Sequence, residues 1–135
     1  MGRSLLILLD THVVVWLASG NARISRPAQA EINQARQAVR GLAISDFTLI
    51  ELSMLFRKKQ FALAVSPEAF LSEVERRFVV LPITATIALQ ALELPAVYPQ
   101  DPADRIIGAT ALIEDIPLVT ADNEIRRSRA VPVIW

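Results

Sequence analysis

Four acids stand where a β-strand has just ended or a helix has just begun. Asp10 closes the apolar run Leu5-Leu6-Ile7-Leu8-Leu9 and is followed at once by Thr11-His12. Glu51 interrupts the apolar stretch from Ile50 to Phe56. Asp104 opens a pattern continued by Ile106, Ile107, Ala109 and Ala111, and Asp122 lies two residues beyond Leu118-Val119-Thr120. Carboxylates brought together repel and raise one another's pKa values. A divalent cation removes that conflict, and magnesium is usually held by a few carboxylates, water and substrate phosphates. The chemistry such a cluster suggests is metal-assisted phosphodiester hydrolysis. Each acid also has a plain structural reading. Asp10 is a good helix cap, and Asp104 and Asp122 are first-turn acids that favour the helix dipole. Glu51 is harder to explain without a partner, because its neighbours are apolar.

The elements that would position these acids alternate along the chain. Buried strands are expected at 5–9, 42–45, 78–83 and 117–120, with a terminal strand at 131–135 whose Pro132 suits an edge. Helices are expected at 13–18, from Ser25-Arg26-Pro27 to about Arg40, from a cap at Asp46 or Thr48 to about Gln60, and at 66–77. Further helices are expected at 85–94 behind a Thr84 cap, at 103–114 and at 122–128. The helix after the second strand is expected to turn Phe47, Ile50, Met54 and Leu55 inward. Segment 61–65 is apolar and ambiguous, and Pro95, Pro99 and Pro102 mark an irregular loop. Alternating strands and helices point to a parallel sheet covered on both faces. Ligands of such sheets bind beyond the carboxyl ends of the strands, where Asp10, Glu51 and Asp122 gather. Gly108, one turn after Asp104, costs the helix roughly 1 kcal/mol relative to Ala and would let another backbone come close.

Composition narrows the choices. The chain has 135 residues, which suggests one domain over 1–135, and 53% of them are apolar, so it folds around a core. There are no cysteines and only one histidine, which excludes disulfides, thiolate sites and a histidine-built zinc site. Any metal is therefore held by carboxylates, which points to magnesium or manganese. The 14 basic and 14 acidic residues cancel, so any nucleic-acid contact comes from local patches. The N-terminus imitates a signal peptide, but Asp10 and His12 break the apolar run, and no stretch is long enough to span a membrane. A cytosolic protein is expected. A dehalogenase-type phosphatase would need Asp where His12 stands. A response-regulator receiver would need an acid after the third strand, which ends Leu81-Pro82-Ile83-Thr84. There is no G-x-S-x-G and no glycine-rich phosphate loop.

With these residues in place, the sequence resembles the PIN-domain proteins, specifically the VapC-type toxin ribonucleases of type II toxin–antitoxin systems. The matching pieces are Leu8 to His12, Thr48 to Leu52, Asp101 to Ala111 and Leu118 to Asp122, in the family's order. The stretch Asp101 to Ala111 is the most specific. The resemblance implies a three-layer α/β/α sandwich with a parallel five-stranded sheet. It implies a magnesium- or manganese-dependent endoribonuclease, usually a homodimer, with RNA as substrate and a cognate antitoxin that blocks the site. Carried over residue by residue, Asp10, Glu51, Asp104 and Asp122 match the family's acidic positions, with Asp10 and Asp104 the surest ligands. Thr120 matches a hydroxyl position near the site and is a candidate substrate contact. Asp101 rivals Asp104, but the apolar helix pattern begins after Asp104, so Asp101 is assigned as the cap with Pro102 in first position.

Other residues carry two readings. Arg105 either contacts a substrate phosphate or, as the preferred alternative, pairs with Asp101 or Asp46 at the surface. His12 is expected to be structural rather than a catalytic base. The clusters Arg57-Lys58-Lys59, Arg76-Arg77 and Arg126-Arg127-Arg129 either decorate helix C-termini or hold RNA phosphates. The apolar excess over 52–71 suits a dimer contact, an antitoxin groove or plain core packing. The alternatives to a toxin are a PIN-like nuclease acting in RNA processing or on DNA without an antitoxin, and an inactive PIN-like binding domain.

Overall fold

The computed structural model describes residues 6–20, 23–37, 41–58 and 64–135. Its order is β1 (Ile7–Leu9), α1 (Thr11–Ser19), α2 (Arg26–Gln37), β2 (Leu42–Ser45), α3 (Asp46–Arg57), α4 (Pro67–Arg77), β3 (Val79–Leu81), α5 (Ala85–Glu93), α6 (Pro102–Glu114), β4 (Leu118–Val119), α7 (Asn123–Ser128) and β5 (Val133–Ile134). The five strands form one sheet in the order β3-β2-β1-β4-β5. Every pairing is parallel, with Leu8 opposite Ala43 on one side and Leu118 on the other. The expected α/β/α sandwich is what the chain adopts. The expected segment 61–65 falls largely outside the described residues, as do Val39, Arg40 and Lys59.

Alternation along β1 builds the layers. Ile7 and Leu9 face a core with Val13, Val14, Ile32, Leu52, Phe70 and Val74, from α1 to α4. Leu6 and Leu8 face the opposite way, onto Ile107, Ala111, Ile125 and Tyr98. Both sets are fully sheltered, which is why β1 reads as an unbroken apolar run rather than an alternating one. Connections leave β1 toward β2 and reach β4 from the other side. The β1–β4 boundary is therefore the switch point where the carboxyl edge opens into a crevice.

The caps match the sequence with one exception. Asp10, Ser66, Thr84, Asp101 and Asp122 each accept a first-turn N–H of the helix they precede. Helix α3 is instead capped by Ser45, whose hydroxyl accepts the Phe47 N–H at 3.1 Å. Asp46 turns aside and accepts the Ile83 N–H at 3.3 Å, just beyond β3. The face expected to point inward is also corrected. Ile50 and Met54 are about half exposed, at 52% and 48%, while Thr48 and Leu52 are buried. No helix among the described residues is long and apolar enough to cross a membrane.

Candidate metal centre at the carboxyl edge

Asp10 is both a cap and a member of a buried polar network. Its Oδ1 accepts the Thr11 N–H at 2.9 Å and its Oδ2 accepts the Thr120 hydroxyl at 2.7 Å. The second bond crosses the switch point from β4 to β1. Thr120 Oγ1 also accepts the Asp122 N–H at 3.1 Å, so one hydroxyl fixes two acidic positions. Asp122 Oδ1 accepts the Ile125 N–H at 3.0 Å as the cap of α7. Thr11 reaches across to α3, donating to Glu51 Oε1 at 2.6 Å and lying 3.1 Å from the Thr48 hydroxyl. Thus Thr11, Thr48 and Thr120, all buried, hold the carboxylates in place. Thr48 enters the sequence reading only as a possible cap and as part of a matching piece; its place beside Thr11 stays hidden because a hydroxyl on an inward helix face leaves no hydrophobic signal.

His12 serves this edge too. Its Nε2 accepts the Ala121 N–H at 3.0 Å, so the ring's proton sits on Nδ1, 3.7 Å from Asp10 Oδ2. The imidazole ties α1 to the loop after β4, as the structural reading of His12 expected.

The acids feel one another strongly. Asp104 is pushed up to about 7, first by burial and then by the charges of Asp10, Asp101, Asp122 and Glu51. Glu51 is also raised, chiefly by burial and further by Asp10 and Asp101, against the lowering effect of the Thr11 hydrogen bond. Every charge that moves Asp104 is negative. An all-carboxylate donor set under mutual repulsion fits a hard divalent cation, which takes oxygen ligands. Among the described residues, no three acidic or imidazole side chains are already drawn into a closed cage. The donors are assembled on one edge and the cage is not preformed. Asp101 caps α6 through the Ala103 N–H at 2.8 Å, as expected, yet its charge reaches both Glu51 and Asp104.

Arg105 departs from both of its expected roles. It is buried, and its guanidinium donates to the carbonyls of Pro99, Ala91, Leu94, Pro95 and Tyr98 at 3.0–3.5 Å. All five of its N–H groups are used this way, so it neither pairs with Asp101 or Asp46 nor faces a substrate. Thr120 likewise bonds to Asp10 rather than standing free for substrate. Gly108 makes room for a ring, not a backbone. A Cβ there would lie 2.3 Å from the Tyr98 hydroxyl oxygen and 2.7 Å from its ring carbon Cζ. That hydroxyl donates to the Asp104 carbonyl at 2.7 Å. Burial, with Asp10, Asp104 and Asp122 nearby, pushes the Tyr98 phenol up and keeps it a donor.

A recess of about 550 Å³ opens at the opposite, amino edge, lined by Val14, Arg36, Leu42, Phe70, Glu73 and Phe78 among others. None of the four acids lines it.

The PIN-domain family model matches residues 7–130. The chain belongs to the PIN-domain family. It is 33% identical over 123 residues to "Ribonuclease VapC22" of Mycobacterium tuberculosis, covering 91% of this chain and 92% of that protein. In three dimensions the PIN domain resembles FitAcB from Neisseria gonorrhoeae, with a TM-score of 0.69 and 20% identity over 96% of each chain. It also resembles DNA-bound VapBC from Salmonella typhimurium, with a TM-score of 0.68 and 23% identity over 96% of this chain and 97% of that one. At these identities the structural likenesses bear on the fold. The VapC relative bears on the family. Membership in that family implies divalent-metal dependence, which the oxygen-only donor set of this PIN domain suits.

Proposed function

We propose that this PIN domain is the toxin of a type II toxin–antitoxin pair, a magnesium- or manganese-dependent endoribonuclease acting as a single nuclease unit in the cytosol. The observation that carries the reading is Asp104, a half-buried carboxyl under pressure from four other carboxylates. Asp10, Asp104, Glu51 and Asp122 are the proposed metal-holding and catalytic residues. A divalent ion bound there supplies Lewis-acid stabilisation of developing charge and lowers the pKa of water. The chain's own part is to hold the donors. Thr120 and the Thr11 N–H orient Asp10, and Thr120 also fixes the backbone of Asp122. Glu51, raised in pKa and bonded to Thr11, is suited to take a proton from an attacking water.

Two apolar surfaces support the partners. Ile50 and Met54 are exposed on α3 and Val65 just before α4, and Leu89, Leu92 and Val97 are exposed in and after α5. A homodimer contact and an antitoxin segment are the occupants proposed for them. Similarity to the VapC ribonuclease and to toxin–antitoxin complexes supports RNA as substrate and a cognate antitoxin as inhibitor.

The test is cleavage of cellular RNA by purified protein, followed by sequencing of the new ends. Magnesium or manganese should support defined cuts that a chelator stops, and Asp10→Asn should lower the rate by about 10³-fold or more while the protein stays folded. Full activity in folded Asp10→Asn sinks the reading.

A further inference from the structure

The chain's two tryptophans are 119 positions apart by their numbers, 16 and 135, yet stand together. Their ring centroids are 6.0 Å apart at a tilt of 51°. Trp16 is 4.9 Å from the His12 ring, which touches the acid edge through Ala121. The Arg23 guanidinium lies 5.9 Å from the Trp16 ring centre. Trp135 also lines a recess of about 590 Å³ with Asn123, Arg126, Arg127, Arg129 and Val133. This aromatic and cationic surface thus begins beside Asp10 and runs outward along α7. Arg126 is one helical turn from Asp122, about 6 Å along the axis.

We propose that this recess is a subsite for single-stranded RNA flanking the cleavage point, an inference that rests on the ribonuclease reading above. A base stacks on the Trp16–Trp135 pair, and the adjoining phosphates lie against Arg126, Arg127 and Arg129. Half-buried rings beside guanidinium groups are what a base and its phosphates require together. The three arginines are exposed and, among the described residues, have no carboxylate partner; Arg126 donates only to Asn123, at 3.3 Å. In a chain of zero formal net charge they form a local excess of positive charge. Helix-dipole stabilisation accounts for cations in the last turn of α7. It does not account for Arg129, which lies past the helix end with φ of 54°, nor for the tryptophans.

The absence of other tryptophans makes the test direct, because intrinsic emission reports on this surface alone. A 12-nucleotide single-stranded RNA is titrated into the full chain in chelator, so that it binds without being cut. Tryptophan emission should be quenched on binding. Trp135→Ala should weaken binding by about tenfold. The combined Arg126→Gln, Arg127→Gln, Arg129→Gln variant should lower the slope of log affinity against log salt by about 2. With metal restored, the same variant should show a raised KM and an unchanged kcat. Because Trp16 also packs within the fold, Trp16→Phe, which keeps an aromatic face, should bind more tightly than Trp16→Ala at equal folded fraction. The proposal is overturned if RNA is bound and cut while the emission stays unmoved. It is equally overturned if the triple variant keeps KM and salt slope. RNA neither bound nor cut by the unaltered chain would overturn the ribonuclease reading itself.

Discussion

Asp104 and Arg105 are consecutive residues in the first turn of α6, and the fold treats their charges in opposite ways. Arg105 points into the α5–α6 connection and is met by five backbone carbonyls. Asp104 points to the carboxyl edge and is met by carboxylates. One charge is fully satisfied within the chain and makes structure. The other is left in conflict, as a group is when its partner comes from outside. Tyr98 links the two regions, since its carbonyl accepts from Arg105 and its hydroxyl donates to the Asp104 carbonyl.

The largest effect should come from the satisfied side. Arg105→Met keeps the apolar stem and removes the donors, leaving carbonyls of a proline-rich loop unpaired. A loss of about 3–5 kcal/mol in urea unfolding is expected, and a loss below about 1 kcal/mol would contradict a structural role for the Arg105 guanidinium. Gly108→Ala comes next. Its Cβ would overlap the Tyr98 phenol, which is held on both sides, so the ring cannot retreat freely. About 1–3 kcal/mol of destabilisation is expected, measurable in the same unfolding experiment.

The smallest effect is on the conflicted side, with the opposite sign. With its carboxyl raised to about 7, well above the ordinary aspartate range, folded Asp104 keeps a proton that the unfolded chain loses. Stability therefore falls as pH rises through that window and levels off above it. Asp104→Asn removes this loss. In chelator the variant should match wild type near pH 4 and exceed it at pH 8 by on the order of 1 kcal/mol, after allowing for solvent screening of a half-exposed group. Melting curves across that range check it. A variant less stable than wild type at pH 8 would contradict an acid cluster.

These contrasts were unequally visible in the sequence. The sheet, its caps and the grouping of acids followed from apolar runs ending in Asp, because strands buried on both faces leave unbroken signals. The apolar pattern misorients α3, because Ile50 and Met54 outweigh Thr48, whose inward hydroxyl serves Thr11 rather than the core. In the sequence Arg105 looks like a surface charge, because its acceptors are backbone carbonyls, which no residue type announces. Gly108 was rightly singled out, but spacing alone could not say that its neighbour is the ring of Tyr98. The pairing of Trp16 with Trp135 needed the α1 and β5 ends to be placed side by side.

In the proposed function a divalent cation resolves the conflict at the carboxyl edge. That role is tested most directly by manganese titrations of thermal melts on wild type and Asp104→Asn at pH 7.5. Wild type should gain stability that grows with the logarithm of manganese concentration, reaching about 2.7 kcal/mol at a hundredfold excess over Kd, and Asp104→Asn should lose most of that gain. Equal stabilisation of both proteins, or of neither, would contradict the account.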